Sequence, residues 1–83
     1  MKIAVRYFAS VREALGSGET TELASGCTVA SLRDALAAQG GRHAEALGRH
    51  RVLRAARNLA LCAEHTTLEE GDEVGFFPPV TGG

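Results

Sequence analysis

The residues with the most distinctive chemistry lie together near residue 83. Residues 76–83 read Phe76-Phe77-Pro78-Pro79-Val80-Thr81-Gly82-Gly83. A terminal carboxylate on Gly83 is ionised at neutral pH, because α-carboxyl groups titrate near ~3.5. Glycines carry no Cβ, so Gly82 and Gly83 can pass a narrow channel and accept positive φ. Pro78 and Pro79 offer no N–H, which ends strand pairing and stiffens the base of the tail. Fully extended, residues 80–83 reach at most ~14 Å, and ~20 Å when counted from Pro78. That is enough to probe a buried pocket in another protein. The expectation is one domain over residues 1–79 and a flexible Gly-Gly tail over 80–83. A lone Gly-Gly would read as a frayed end; the Phe-Phe-Pro-Pro run before it favours a working tail.

Strand alternation lets only one of Phe76 and Phe77 point inward. The other, with Pro78 and Val80, should form an exposed apolar patch for a partner to cover, and Leu61 joins it from a neighbouring strand. The candidate partner contacts are therefore Phe76, Phe77, Pro78, Pro79, Val80, Thr81 and Leu61, with Gly82 and Gly83 as the reactive end. His43, His50 and His65 show no ligand spacing, and Cys62-Ala63-Glu64-His65 lacks a second ligand pair. No metal site is expected. Cys27 and Cys62 read as buried small residues. No nucleophile elbow, phosphate-binding loop or carboxylate pair appears, so an autonomous enzyme is not expected.

Positioning such a tail takes a compact scaffold. Ile3, Val5 and Tyr7 alternate with Lys2, Ala4 and Arg6, which predicts a half-buried strand over 2–8. Ser10 and Glu13 have capping-box spacing for a short helix that Gly16 ends. Glu19–Leu23 suits a returning strand. Thr28 can cap a helix whose stripe is Val29, Leu32 and Leu36, running over 29–39. A further helical turn covers 43–47. Val52–Arg57 and Leu59–Ala63 read as short strands broken near Asn58, and Glu73–Phe77 as the last strand. The order predicts an α+β domain, a mixed sheet with one main helix packed on one face. First and last strands side by side and parallel at its centre make a β-grasp.

Eighty-three residues bound this to one small domain, with 45% hydrophobic and 23% charged residues. A net charge of −1 argues against nucleic-acid binding. No apolar run approaches the ~20 residues of a membrane span, and Arg6 breaks any signal-peptide core. Two cysteines without a framework suit a reducing cytoplasm. Arg42, Arg49, Arg51, Arg54 and Arg57 cluster in one segment, and Glu64, Glu69, Glu70, Asp72 and Glu73 in the next. The plain reading is two solvated faces; the sharper one is an acidic surface steering a basic partner.

Gly71-Asp72-Glu73-Val74-Gly75-Phe76-Phe77-Pro78-Pro79-Val80-Thr81-Gly82-Gly83 closely resembles the end of molybdopterin synthase small subunits, and Tyr7-Phe8-Ala9 with Val11-Arg12-Glu13 resembles their first strand and helix. The resemblance spans the chain, with its specificity in residues 71–83. It departs at Arg57, where a hydrophobic residue is usual, and at Gly75, where a small apolar one is. It implies a ubiquitin-like fold. It also implies that an activating adenylyltransferase related to those of ubiquitin conjugation uses ATP to adenylate Gly83, with no cofactor bound by the chain itself. The acyl-adenylate becomes a thiocarboxylate, and the tail enters the large synthase subunit. Sulfur then passes to cyclic pyranopterin monophosphate in molybdenum cofactor biosynthesis. Two small and two large subunits would assemble. Rival roles with the same activation logic are sulfur carriage for thiamine, tRNA thiolation or cysteine synthesis. A ubiquitin-like modifier of protein lysines, or an interaction module with a passive tail, would be of a different class.

Overall fold

The computed structural model describes residues 1–79. Its elements are β1 (Lys2–Tyr7), α1 (Ala9–Leu15), β2 (Gly18–Glu22), α2 (Val29–Ala37), α3 (Gly41–Leu47), β3 (Arg54–Arg57), β4 (Ala60–Cys62) and β5 (Glu73–Phe77). The strands form one mixed sheet in the order β2-β1-β5-β3-β4. β1 and β5 run parallel at its centre, with Val5 opposite Val74 and Tyr7 opposite Phe76. The other pairings are antiparallel. This is the α+β β-grasp arrangement read from the element order. The tail over 80–83 lies outside the described residues.

Period-two alternation assigns the faces. Ile3, Val5 and Tyr7 of β1, Val74 and Phe76 of β5 and Ala55 of β3 point to the buried side. They form one core with Val11 of α1, Val29, Leu32 and Leu36 of α2, and Ala46 and Leu47 of α3. All three helices thus share that side of the sheet, where one main helix was expected. The stripe Val29, Leu32 and Leu36 is at most 1% exposed, as helical spacing demands.

Thr28 caps α2, its hydroxyl accepting from the Ser31 N–H at 3.2 Å, and Ser31 completes a capping box. The next N–H groups of the helix, on Val29 and Ala30, donate to the carbonyls of Thr66 and Glu64. The loop before β5 therefore satisfies donors that a helix start leaves open. The expected cap on α1 is corrected: Ser10 lies inside the helix, Phe8 holds the N-cap position, and no side chain caps it. Val11 and Arg12 donate instead to the Phe8 carbonyl. The backbone leaves β1 directly into the helix, with Ala9 at φ +53°, so Ser10 arrives two residues too late to cap.

Arg33, on α2, is only 3% exposed. Its Nε donates to the Leu47 carbonyl at 2.7 Å, and its Nη2 to those of Gly48 and Arg51 at 2.8 and 2.6 Å. One guanidinium thus terminates α3 and ties the following loop to α2. Burial lowers its pKa, an effect the nearby Glu64 opposes.

Candidate functional site

The non-helical side of the sheet carries Glu73, Gly75 and Phe77 from β5, Arg54 and Ala56 from β3, and Leu61 from β4. The pairings Phe77–Arg54, Gly75–Ala56 and Ala56–Leu61 bring these into adjacent rows. Leu61 is 67% exposed. Leu61, Phe77, Pro79 and the Arg54 stem line one shallow depression. A cation thus rims an apolar surface at the point where the chain leaves the sheet toward residue 80.

Among the candidate contacts, the structure brings Leu61, Phe77 and Pro79 together, with Pro78 half-buried beside them. It takes Phe76 away from them: that ring is 1% exposed and belongs to the core opposite Tyr7 and Ala55. Phe76 is therefore corrected from partner contact to core residue, and Phe77 is the outward ring. Val80, Thr81, Gly82 and Gly83 fall outside the described residues.

Phe8 was missed by the sequence reading. Its ring is 43% exposed and lies over the sheet beside Gly75. A Cβ on Gly75 would stand 2.9 Å from Phe8 Cε2. The glycine at this position thus makes room for the aromatic ring. A signal existed in the sequence: Phe8 follows Tyr7 immediately, so with Tyr7 in the core Phe8 must face the other way.

The Gly71-Asp72-Glu73 segment is a clamp. Asp72 is buried. Its Oδ2 accepts from Arg57 Nε at 2.7 Å and from the Glu69 N–H at 2.8 Å, and its Oδ1 from Asn58 Nδ2 at 3.0 Å. The Asn58 side-chain oxygen in turn accepts from the Glu73 N–H at 2.9 Å. Asn58 and Leu59 form the two-residue turn between β3 and β4, both with positive φ. The hydrogen bond from Arg57 foremost, with those from Glu69 and Asn58, outweighs burial and holds the Asp72 carboxyl below its usual range. Arg57 supplies that charge.

The basic and acidic segments are not two separate solvated faces. Arg49 reaches Glu64 at 2.8 Å and Arg57 reaches Glu69 at 3.3 Å, besides Asp72. The chain reversal through β3 and β4 brings them side by side. Cys27 and Cys62 are half-buried rather than buried. His43, from α3, binds Glu19 Oε2 at 2.7 Å, and the Tyr7 hydroxyl donates to the same oxygen at 2.6 Å. Burial would raise the Glu19 pKa, but these hydrogen bonds lower it below the ordinary value. Among the described residues no cluster of three metal-ligating side chains occurs, and no helix is long and apolar enough to cross a membrane.

Residues 5–83 match the model of the ThiS family. The chain belongs to the ThiS family. It is 46% identical over 81 residues to the molybdopterin synthase sulfur carrier subunit of Escherichia coli, covering 98% of this chain and 99% of that one. Among solved structures it is similar to a putative molybdopterin converting factor subunit 1 from Pyrococcus furiosus. That match has 30% identity and a TM-score of 0.80 over 96% of this chain and 99% of the other. It is also similar to a chain in the complex of subunits 1 and 2 of the molybdopterin-converting factor from Helicobacter pylori. There the identity is 28% and the TM-score 0.69, with both chains covered in full. The resemblance read from residues 71–83 and the ubiquitin-like β-grasp fold both hold for this family member.

Proposed function

We propose that this chain is the sulfur-carrier subunit of a molybdopterin synthase, with Gly83 as the sulfur-bearing residue. The observation that carries the reading is the apolar depression of Leu61, Phe77 and Pro79 at the base of a segment ending in Gly82-Gly83. It separates docking from chemistry. A partner grips the rigid sheet while the glycines, free of side chains, enter its pocket. The full-length likeness to named sulfur carrier subunits supports the choice of pathway.

In this reading a carboxylate oxygen of Gly83 attacks the α-phosphorus of ATP on a separate adenylyltransferase, and pyrophosphate leaves. A sulfide-level sulfur nucleophile then displaces AMP from the acyl carbon, leaving a thiocarboxylate. Docked on the large subunit, that sulfur attacks a carbon of the pyranopterin precursor and displaces an oxygen leaving group, giving a thioester. Water then cleaves the acyl carbon–sulfur bond, so the sulfur stays on the pterin and the Gly83 carboxylate is regenerated. The chain contributes reach, a narrow backbone and a docking face, and binds no cofactor. In this reading a partner of the kind named in the Helicobacter pylori complex docks on the outer sheet face, and two small and two large subunits assemble. On the same reading the protein works in the cytoplasm.

The test has two stages. The activating enzyme, ATP and a sulfur source should raise the intact mass by one oxygen-to-sulfur exchange. The product, mixed with a large subunit and cyclic pyranopterin monophosphate, should yield molybdopterin. An unchanged mass, under conditions that convert a known carrier, would refute sulfur carriage. Support of thiazole formation or tRNA thiolation alone would assign it to another pathway, and isopeptide adducts on lysines would make it a modifier.

A further inference from the structure

Leu59 occupies a place that folding alone does not explain. It is the second residue of the β3–β4 turn, at φ +71°. Two-residue turns of this kind strongly favour glycine there, because a side chain is strained in the left-handed region. The leucine recovers nothing by burial, since it is 88% exposed. Strain and exposed apolar surface both weaken the isolated domain. Yet the turn is fixed: the Asn58 N–H donates to the Glu73 carbonyl at 2.7 Å, and the Asn58 side chain is held by Asp72 and the Glu73 N–H. A leucine is thus held out on a stiff hairpin, two residues from Leu61.

We infer that Leu59 is a docking anchor that fills an apolar socket on the same partner that covers Leu61 and Phe77. The inference rests on the proposed function, in which that partner is the molybdopterin synthase large subunit. Continuity and size argue for one partner. A standard interface covers about 800 Å² on each side, a footprint about 30 Å across. Leu59 lies within ~7 Å along the chain of Leu61, inside any such footprint centred on the Leu61–Phe77–Pro79 depression. A side chain that is costly to the free domain and rigidly presented loses little entropy on binding.

The test uses the full chain and the large subunit from the same genome, with binding measured by titration calorimetry and folding by thermal melts. Leu59→Gly and Leu59→Asn both tolerate positive φ and remove the anchor. Each should melt at or above the parent temperature and bind at least about tenfold more weakly. Leu61→Ala is the control for the docking face. Parent-like binding by both Leu59 variants, with Leu61→Ala weakened, overturns the anchor and leaves the proposed function standing. Parent-like binding by Leu61→Ala as well overturns the docking face, and the anchor with it. A marked drop in melting temperature for Leu59→Gly would show that the leucine serves the fold, and would also overturn the inference.

Discussion

Phe76 and Phe77 are neighbours of identical chemistry, and the structure predicts opposite consequences for removing each. Phe76 is 1% exposed, sealed between Tyr7 and Ala55. Truncation to alanine deletes its buried ring and leaves a cavity, a change that costs about 3–5 kcal/mol in protein cores. A domain of 83 residues has a total stability of about 4–12 kcal/mol. For one this small each kcal/mol moves the midpoint by about 4–8 °C, so Phe76→Ala should melt about 12–40 °C lower, or fail to fold. Phe77 is half-buried on the outer face. About two-thirds or more of the 1.5–3 kcal/mol that burying a phenylalanine yields is realised in the free domain, about 1–2.7 kcal/mol, and at most about 1 kcal/mol remains for a partner. Phe77→Ala should therefore melt about 4–22 °C lower and bind the large subunit more weakly, by up to about fivefold. Thermal melts followed by circular dichroism measure the first quantity and titration calorimetry the second. Equal destabilisation by both variants, or unchanged binding by Phe77→Ala, would refute the assignment of the two faces.

Deleting Gly82 and Gly83 should leave affinity for the large subunit within about tenfold, because threading glycines costs about 1–2 kcal/mol of entropy each and adds no apolar side chain. It should abolish sulfur transfer, since the terminus then falls ~7 Å short; a turnover assay beside calorimetry checks both. The Asp72 carboxyl has a folded-state pKa below 3.8. Its contribution to stability is present above that pH and lost as pH falls through the depressed value. Asp72→Asn should melt well below the parent at pH 7, and the gap should narrow in melts taken below about pH 4. Tyr7 behaves in the opposite sense: burial first, then its bond to the Glu19 carboxylate, push its hydroxyl far above 10.0. That contribution is intact below the unfolded value and is lost as pH rises beyond it. Tyr7→Phe should flatten the alkaline loss of stability above about pH 10, read from melts across that range.

The sequence by itself determined the core strand, the main helix and the tail motif, because each is written in contiguous residues. Ile3, Val5 and Tyr7 alternate, Val29, Leu32 and Leu36 recur with the helical period, and both sets are buried as local geometry requires. The family signature over residues 71–83 is likewise contiguous. Tertiary structure decided everything that depends on pairs distant in the chain. Which of two adjacent phenylalanines faces the core was set by the register of β5 against β1 and β3, since a slip of one residue would exchange them. Arg33 sits on the helix as an ordinary charged residue until α3 ends against it and its carbonyls need donors. Arg57 and Asp72, 15 positions apart, become a clamp because the hairpin returns the chain beside β5. Leu59 looks like part of a strand in the sequence. Register alone places it at the turn, where its side chain has nowhere to be buried and its backbone must take a positive φ.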